Sequence, residues 1–336
     1  MCCWRGAVGV ERRVLKIPED LARKLRKAHY GVYNHSTVEI CHWTKKSLKN
    51  EGDCYKKIFY GIDTHRCVQF SPAGMICNMK CIFCWRPAEF MERISMSPDE
   101  VDDPEELMEG ILRERRRLLS GYPGNPKVDM RKYREALAPN HYAISLSGEP
   151  TLYPKLPELI KYLRSRPLTR SIFLVTNGVV PEMLERLMNE DALPTQLYIS
   201  MNAPNERLFR AINRPLVRNA WRLWLRSLDL MAEMKTRTVI RFTLIRGLNS
   251  DEKYMQQYAE LIRRANPHFV EIKSYMHLGY STRRLKAENM LDHSEIKEYA
   301  EKLLRYLPEF SYMDEHPPSR IVVLQNEERK VDRFIP

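Results

Sequence analysis

The sequence of 336 residues has few long apolar runs, and stretches such as IFLV at 172–175 and IVVL at 321–324 are among the longest. A membrane-spanning helix needs about 20 apolar residues, so we expect no contact with a membrane. The N-terminal stretch MCCWRGAVGVERRV is basic but lacks the apolar segment of a secretory signal, which predicts a cytoplasmic protein with reduced thiols. Disulfide bonding is therefore not the expected role of the eight cysteines.

Repeats, low-complexity segments and Gly/Ser linkers are also missing, and the 13 glycines are scattered along the chain. This pattern indicates one compact body, and 43% hydrophobic residues suffice for one large core. We expect a core domain over 61–300, preceded by an extension over 1–60 that is richer in charge and aromatics, with an amphipathic helix over 18–29. A second extension follows over 301–336.

Positive charge exceeds negative charge, with 55 Lys and Arg against 43 Asp and Glu. The resulting net charge of +12 suits a polyanionic partner such as nucleic acid. Each basic run taken alone is better explained as a solvated helix face, but together the runs favour an RNA or DNA substrate over a small metabolite alone. Arg283 and Arg284, after the last predicted strand, are the first candidates for phosphate contacts, with a solvated loop as the alternative.

Short apolar runs alternate with longer helical patterns from residue 67 onward. Two helices are predicted over 104–120 and 217–231, where Trp221 and Trp224 lie on the apolar stripe and are expected in the core. Six strand-and-helix steps predict an α/β fold, an incomplete (β/α)6 barrel of the TIM type, with its active site at the C-terminal ends of the strands. The predicted strands are 67–70, 142–146, 172–175, 197–201, 238–245 and 269–272.

Three cysteines lie in a C-x3-C-x2-C spacing just after the first predicted strand, at Cys77, Cys81 and Cys84. A zinc site would need a fourth ligand from elsewhere, such as His65 or Cys67. A 4Fe-4S cluster would keep one iron open for a small molecule. This spacing on a βα scaffold resembles the radical S-adenosylmethionine superfamily.

Three further motifs follow later strands in the order expected for that superfamily: SGEP at 147–150, TNG at 176–178 and SMNAP at 200–204. Each alone is an ordinary turn, but their order at strand ends strengthens the resemblance. One departure is Asn202, where the superfamily segment often has an acidic residue. The resemblance implies S-adenosylmethionine contacts by six residues: Ser147, Gly148, Glu149, Asn177, Ser200 and Asn202.

A second set of cysteines, Cys41, Cys54 and Cys67, recurs at intervals of 13 residues. Such intervals fit no local metal loop and alone indicate buried apolar residues or zinc ligands. However, the segment from CHWTKKSLKNEGDC to CIFCWRP, over 41–87, strongly resembles the 4-demethylwyosine synthase family, and a looser similarity extends to about residue 290. The resemblance implies a second 4Fe-4S cluster on this set, held partly by the 1–60 extension, while Cys2 and Cys3 are surplus.

The same resemblance implies a tRNA-modifying radical carbon-carbon lyase. Its substrates would be N1-methylguanosine-37 in the anticodon loop of tRNA-Phe and pyruvate, with an external one-electron donor, because about 60 residues are too few for a flavodoxin-like domain. Lys56 aligns with the lysine that would hold pyruvate as an imine, and Lys45 and Lys46 are its nearest rivals. Two alternatives stay open: a radical enzyme acting on another RNA base, and a non-catalytic RNA-binding protein stapled by zinc.

Overall fold

The computed structural model describes residues 14–335 and contains one ten-stranded sheet whose centre is parallel. All six strands predicted from the sequence are present, and they pair with one another in chain order. The α/β class and the six-stranded parallel core are therefore confirmed. The parallel strands are β3 (Cys67–Ser71), β4 (His141–Ile144), β5 (Ser171–Thr176), β6 (Gln196–Met201), β7 (Arg237–Leu244) and β8 (Phe269–Ser274).

Four antiparallel strands flank this core, and the sequence analysis predicted none of them. A hairpin of β1 (Tyr30–Tyr33) and β2 (Ser36–Glu39) pairs with β3 through its second strand. At the other edge, β10 (Ile321–Asn326) pairs with β8, and β9 (Phe310–His316) lies outermost. The sheet order is β1-β2-β3-β4-β5-β6-β7-β8-β10-β9, so both chain ends contribute strands to the same sheet as the parallel core.

The helices pack mainly on the outer face of the sheet. The predicted amphipathic segments at 18–29, 104–120 and 217–231 form helices, and Trp224 is buried against Trp221 with 5.0 Å between ring centroids. The α-helices of the described chain are α1 (Glu19–Lys27), α2 (His42–Ser47), α3 (Tyr55–Tyr60), α4 (Pro104–Leu119), α5 (Met130–Ala136), α6 (Leu156–Ser165), α7 (Pro181–Asn189), α8 (Glu206–Asn213), α9 (Ala220–Glu233), α10 (Met255–Ala265) and α11 (His293–Leu304).

The inner face of the sheet is curled around a second apolar cluster. Side chains from β4 to β8 and from β10 meet there, including Phe173, Tyr198 and Phe269, and α3 adds Phe59 and Tyr60. Strands so far apart in a sheet can share one cluster only if the sheet bends toward a barrel. We call this cluster the barrel floor. In residues 14–335, no helix has the length and apolar character that crossing a bilayer requires.

Candidate active site

The loop after β3 brings Cys77, Cys81 and Cys84 together as free, half-buried thiols. Burial raises the pKa of all three thiols, and for Cys81 the charges of Cys77 and Cys84 raise it further. A buried thiol of this kind stays protonated unless a metal or another cation stabilises the thiolate. The donor set, three converging sulfurs, fits a cubane cluster that keeps one iron free for another ligand.

Arg284 holds this loop in place from the segment after β8. Its guanidinium donates to the carbonyl of Ile82 at 3.0 Å and also to the carbonyl of Cys84 and the carboxylate of Glu89. The side chain is therefore occupied within the protein, in contrast to the phosphate contact expected from the sequence. Arg283, its neighbour, remains exposed, with its guanidinium 4.6 Å from the Tyr280 ring centroid.

The SGEP turn after β4 lies directly against the cysteine loop. Gly148 has a φ of +68°, and a Cβ built there would come within 1.8 Å of the carbonyl oxygen of Ala73. The neighbouring backbone thus approaches so closely that only glycine fits. Ser147 is buried and its hydroxyl lies 3.0 Å from that of Thr37, so this residue ties the turn to the β2 hairpin strand.

Glu149 is fully buried, and its carboxylate joins the ends of β4 and β5. It accepts hydrogen bonds from the Thr176 hydroxyl at 2.6 Å and from the backbone N–H of Asn177 at 2.8 Å. It also accepts from the backbone and hydroxyl of Thr151. Burial raises the pKa of Glu149, while these hydrogen bonds oppose the shift. The side chain therefore fixes the turn, which leaves the backbone of SGEP as the surface toward the cysteine loop.

Asn177 connects the TNG turn to the cysteine loop. Its side-chain amide donates to Oδ1 of Asn78 at 2.7 Å, and its own Oδ1 accepts from the backbone N–H of Val179. Asn78 directly follows Cys77 and is buried. The SGEP and TNG turns therefore meet the cysteine loop at one end of the sheet, as the positions of these motifs after strands predicted.

The SMNAP segment lies at the C-terminal end of β6, at the same end of the sheet as the SGEP and TNG turns. The carbonyl of Ser200 accepts a hydrogen bond from the indole of Trp224 at 3.1 Å, which positions the strand end. Asn202 is buried and donates to Oδ1 of Asn213 at 3.3 Å, but its own Oδ1 has no hydrogen-bond partner in the described part of the chain. A buried amide oxygen of this kind can accept from a hydroxyl group such as those of a ribose.

The fold also gathers the second set of cysteines, although their sequence intervals suggested no local site. Cys41 lies at the N-cap of α2, Cys54 at the N-cap of α3, and Cys67 begins β3. The charges of the three thiols interact with one another, and burial together with these interactions raises the pKa of Cys54 and Cys67. Buried Arg115 donates to the carbonyl of Cys67 at 3.3 Å and anchors this strand start.

Residues 14–335 contain no group of three or more His, Cys, Asp or Glu side chains arranged to hold a single metal ion. His65, the histidine considered for a zinc site, is instead 2.6 Å from the carboxylate of Glu135. Cys2 and Cys3 lie outside the described residues.

Lys56 projects from α3 into the barrel and is 7% exposed. Its Nζ lies 4.0 Å from the ring centroid of Phe173 and 4.6 Å from that of Tyr198, so the ammonium rests on the barrel floor. Burial lowers the pKa of Lys56, and the nearby carboxylate of Glu271 opposes this shift. A lysine with a lowered pKa has more of the neutral amine that imine formation requires.

Three charged residues in the barrel interior were missed by the sequence analysis: Arg241 on β7, and Glu271 and Lys273 on β8. Glu271 is fully buried, and Tyr60 of α3 donates to it at 2.8 Å. A signal was available, because TVIRFTLI and FVEI each contain a charge inside an otherwise apolar strand. A charge at such a position must find a partner or a ligand.

Comparison with known proteins agrees with this geometry. Residues 72–262 match the model of the radical SAM superfamily, and residues 264–326 match that of wyosine base formation. The chain is 46% identical to the S-adenosyl-L-methionine-dependent tRNA 4-demethylwyosine synthase of Pyrococcus abyssi, covering 93% of this chain and 90% of that protein. The corresponding Methanocaldococcus jannaschii protein is 43% identical, covering 94% of this chain and 99% of the relative.

Two solved structures share the fold along nearly the whole chain. TYW1 with a lysine-pyruvate adduct bound superposes with a TM-score of 0.83 at 41% identity, covering 95% of this chain and 99% of that one. An archaeal TYW1 crystal structure gives a TM-score of 0.76 at 36% identity, with the same coverage. The radical SAM architecture expected from the motifs is thus confirmed, and the chain belongs to the tRNA 4-demethylwyosine synthase family of radical S-adenosylmethionine enzymes.

Proposed function

We propose that this protein converts N1-methylguanosine-37 of tRNA-Phe and pyruvate into 4-demethylwyosine, acting as a radical S-adenosylmethionine carbon-carbon lyase. The observation that carries the proposal is Lys56, a buried lysine with a lowered pKa inside the barrel, two residues after Cys54 and near enough to Cys54 and Cys67 for their charges to affect its pKa. The likeness to TYW1 with a lysine-pyruvate adduct bound supports an imine on such a lysine.

In this proposal Cys77, Cys81 and Cys84 would hold a 4Fe-4S cluster to which S-adenosylmethionine would bind. When bound, cluster and cofactor supply a one-electron cleavage that yields the 5'-deoxyadenosyl radical. The protein orients the cofactor and keeps water away from it. The remaining candidate contacts surround the cysteine loop at the strand ends, namely Ser147, Gly148, Glu149, Asn177, Ser200 and Asn202.

Cys41, Cys54 and Cys67 would hold a second 4Fe-4S cluster. Two of these cysteines cap short helices before β3 and the third begins that strand, so the 1–60 extension and the 61–300 core would share the site. The helix that carries Cys54 at its N-cap also carries Lys56. We therefore propose that this extension builds the pyruvate end of the active site, and that the 301–336 segment completes the sheet beyond β8.

The partners follow from the chemistry. The target base of an anticodon loop can be unstacked, which an enzyme acting on base atoms needs. The net charge of +12 suits binding to its phosphates, and a tRNA substrate is consistent with a cytoplasmic location. We propose that the electron comes from an external one-electron donor.

The proposal is tested by anaerobic reconstitution followed by incubation with methylated tRNA-Phe, S-adenosylmethionine, dithionite and carbon-labelled pyruvate. We expect label in a tricyclic nucleoside at position 37. Cleavage of S-adenosylmethionine without incorporation of label would instead indicate a radical enzyme for another RNA base. A colourless protein that contains only zinc and binds RNA without cleaving S-adenosylmethionine would overturn the radical chemistry.

A further inference from the structure

The middle of the barrel interior contains a layer of polar side chains just above the barrel floor. Across three neighbouring strands, Ser200 is paired with Arg241, and Arg241 with Glu271. Arg241 faces inward, because Ile240 and Phe242 on either side of it belong to the outer core. The layer therefore extends from Ser200 at the end of β6, which is expected to contact S-adenosylmethionine, to Glu271 of β8, which contacts α3.

Two buried polar atoms in this layer have no hydrogen-bond partner within residues 14–335, Nε of Arg241 and Oε2 of Glu271. The other oxygen of Glu271 accepts from the Tyr60 hydroxyl at 2.8 Å. The Arg241 guanidinium makes no ion pair within 4.0 Å in that part of the chain. A guanidinium Nε buried without an acceptor is costly, and a carboxylate matches the fork of donors that Arg241 presents.

Cations outnumber carboxylates around this layer. The charges of Lys56 and Lys273 both interact with the guanidinium of Arg241 and with the carboxylate of Glu271. Burial and the charge of Arg241 lower the pKa of Lys273 to about 7, the result expected where positive charges crowd together. A small anion entering the barrel would relieve this repulsion.

We propose that Arg241 binds the carboxylate of the 2-oxo acid that forms an imine with Lys56, so that Arg241 selects 2-oxo acids over neutral carbonyl compounds. Lys273 provides a second cation, and Glu271 positions the site by pairing with Tyr60 of the helix that carries Lys56. The lysine nitrogen forms a C=N bond to the keto carbon. The carbonyl oxygen leaves as water with the two hydrogens of the neutral amine. This assignment rests on the function proposed above.

The test is reductive trapping of the reconstituted protein with cyanoborohydride and a series of pyruvate concentrations, in the absence of tRNA, with the product read by intact mass. We expect Arg241→Gln to raise the pyruvate concentration for half-maximal trapping by about tenfold or more, because a charge-assisted hydrogen bond pair is lost. Arg241→Lys, which keeps the charge without the fork, should give an intermediate shift. Trapping by methyl pyruvate, the neutral ester, should be the same in all three proteins.

Arg237 provides a matched control on the same face of β7, four residues earlier. Its guanidinium donates to Oε1 of Gln196 at 2.9 Å and to the carbonyl of Arg333 at 3.0 Å. Arg237→Gln should therefore lower the unfolding midpoint without changing the pyruvate dependence. If wild-type protein is trapped, two results for Arg241→Gln would overturn the assignment. One is an unchanged concentration for half-maximal trapping by pyruvate, and the other is an equal increase for pyruvate and methyl pyruvate. Absence of trapping in the wild type would instead overturn the proposed function, and the assignment with it.

Discussion

At the scale of single residues, the two most constrained positions are Gly148 and Lys56, and their constraints have opposite origins. Gly148 lies where backbone from another loop leaves no room for a side chain and where φ is positive. Lys56 is a long charged side chain that the fold removes from water and places on aromatic rings. Burial of this kind is costly and is retained where it supports chemistry.

Gly148→Ala should destabilise the protein by about 2–4 kcal/mol and prevent S-adenosylmethionine binding, because the new methyl group would collide with the carbonyl oxygen of Ala73. Denaturant unfolding and equilibrium binding of S-adenosylmethionine to reconstituted protein measure both effects. Gly247→Ala is the matched control, since Gly247 also has a positive φ but nothing within 4 Å of the added atom. It should cost about 1 kcal/mol and leave binding unchanged. Equal costs for both variants would contradict the close-approach argument.

Lys56→Ala should abolish pyruvate-dependent trapping by cyanoborohydride, because the amine that would form the imine is removed. Its control is Lys57→Ala, since Lys57 is exposed and its ammonium lies 2.7 Å from the carboxylate of Asp53. Intact mass and peptide mapping distinguish the two variants. An adduct that persists in Lys56→Ala and maps to Lys45 or Lys46 would transfer the role to one of those lysines.

At the scale of elements, the active end of the sheet is built from loops that hold one another. The cysteine loop receives hydrogen bonds from Arg284 and donates through the backbone of Ile82 to Ile212 of α8. The turns after β4 and β5 are joined to it by close contact and by the Asn177 amide. Each loop is positioned by residues distant in sequence, so disturbing one of them should affect the others.

Arg284→Met should loosen the cysteine loop and cause the loss of about four irons per chain, because the carbonyls of Ile82 and Cys84 lose their donor. Its neighbour supplies the control. Arg283→Met removes an exposed guanidinium and should retain all the iron. Iron content and absorbance after anaerobic reconstitution check both variants. Full iron content in Arg284→Met would show that the backbone alone holds the loop.

At the scale of the whole molecule, residues from both sides of β3 come close to one another in the barrel interior. The segment before β3 brings Cys41, Cys54 and Lys56, and β7 and β8 bring Arg241 and Glu271 from more than 180 residues farther along the chain. The docking of α3 on the barrel floor joins these parts, through Phe59 and Tyr60. The site therefore depends on folding of the entire barrel and not on any one motif.

A variant in which Cys41, Cys54 and Cys67 are all replaced by Ser should reconstitute with about four irons per chain, against about eight for the wild type. It should still cleave S-adenosylmethionine, because the other trio is intact. The matched triple replacement of Cys77, Cys81 and Cys84 should also leave about four irons but lose that cleavage. Eight irons in the first variant would refute a second cluster on Cys41, Cys54 and Cys67.

The six parallel strands, the main helices and the loop with Cys77, Cys81 and Cys84 follow from local patterns, since alternation, apolar stripes and short spacings act within a few residues of one another. The hairpin of β1 and β2 does not, because its short strands owe their place to pairing with β3. The family resemblance implied that Cys41, Cys54 and Cys67 share a site, but only the tertiary structure decided how they meet, that Arg284 holds a loop, and that Arg241 and Glu271 interact with Lys56 in the barrel interior. These contacts depend on how the sheet curls and where α3 docks, and no period or spacing in the sequence encodes either one.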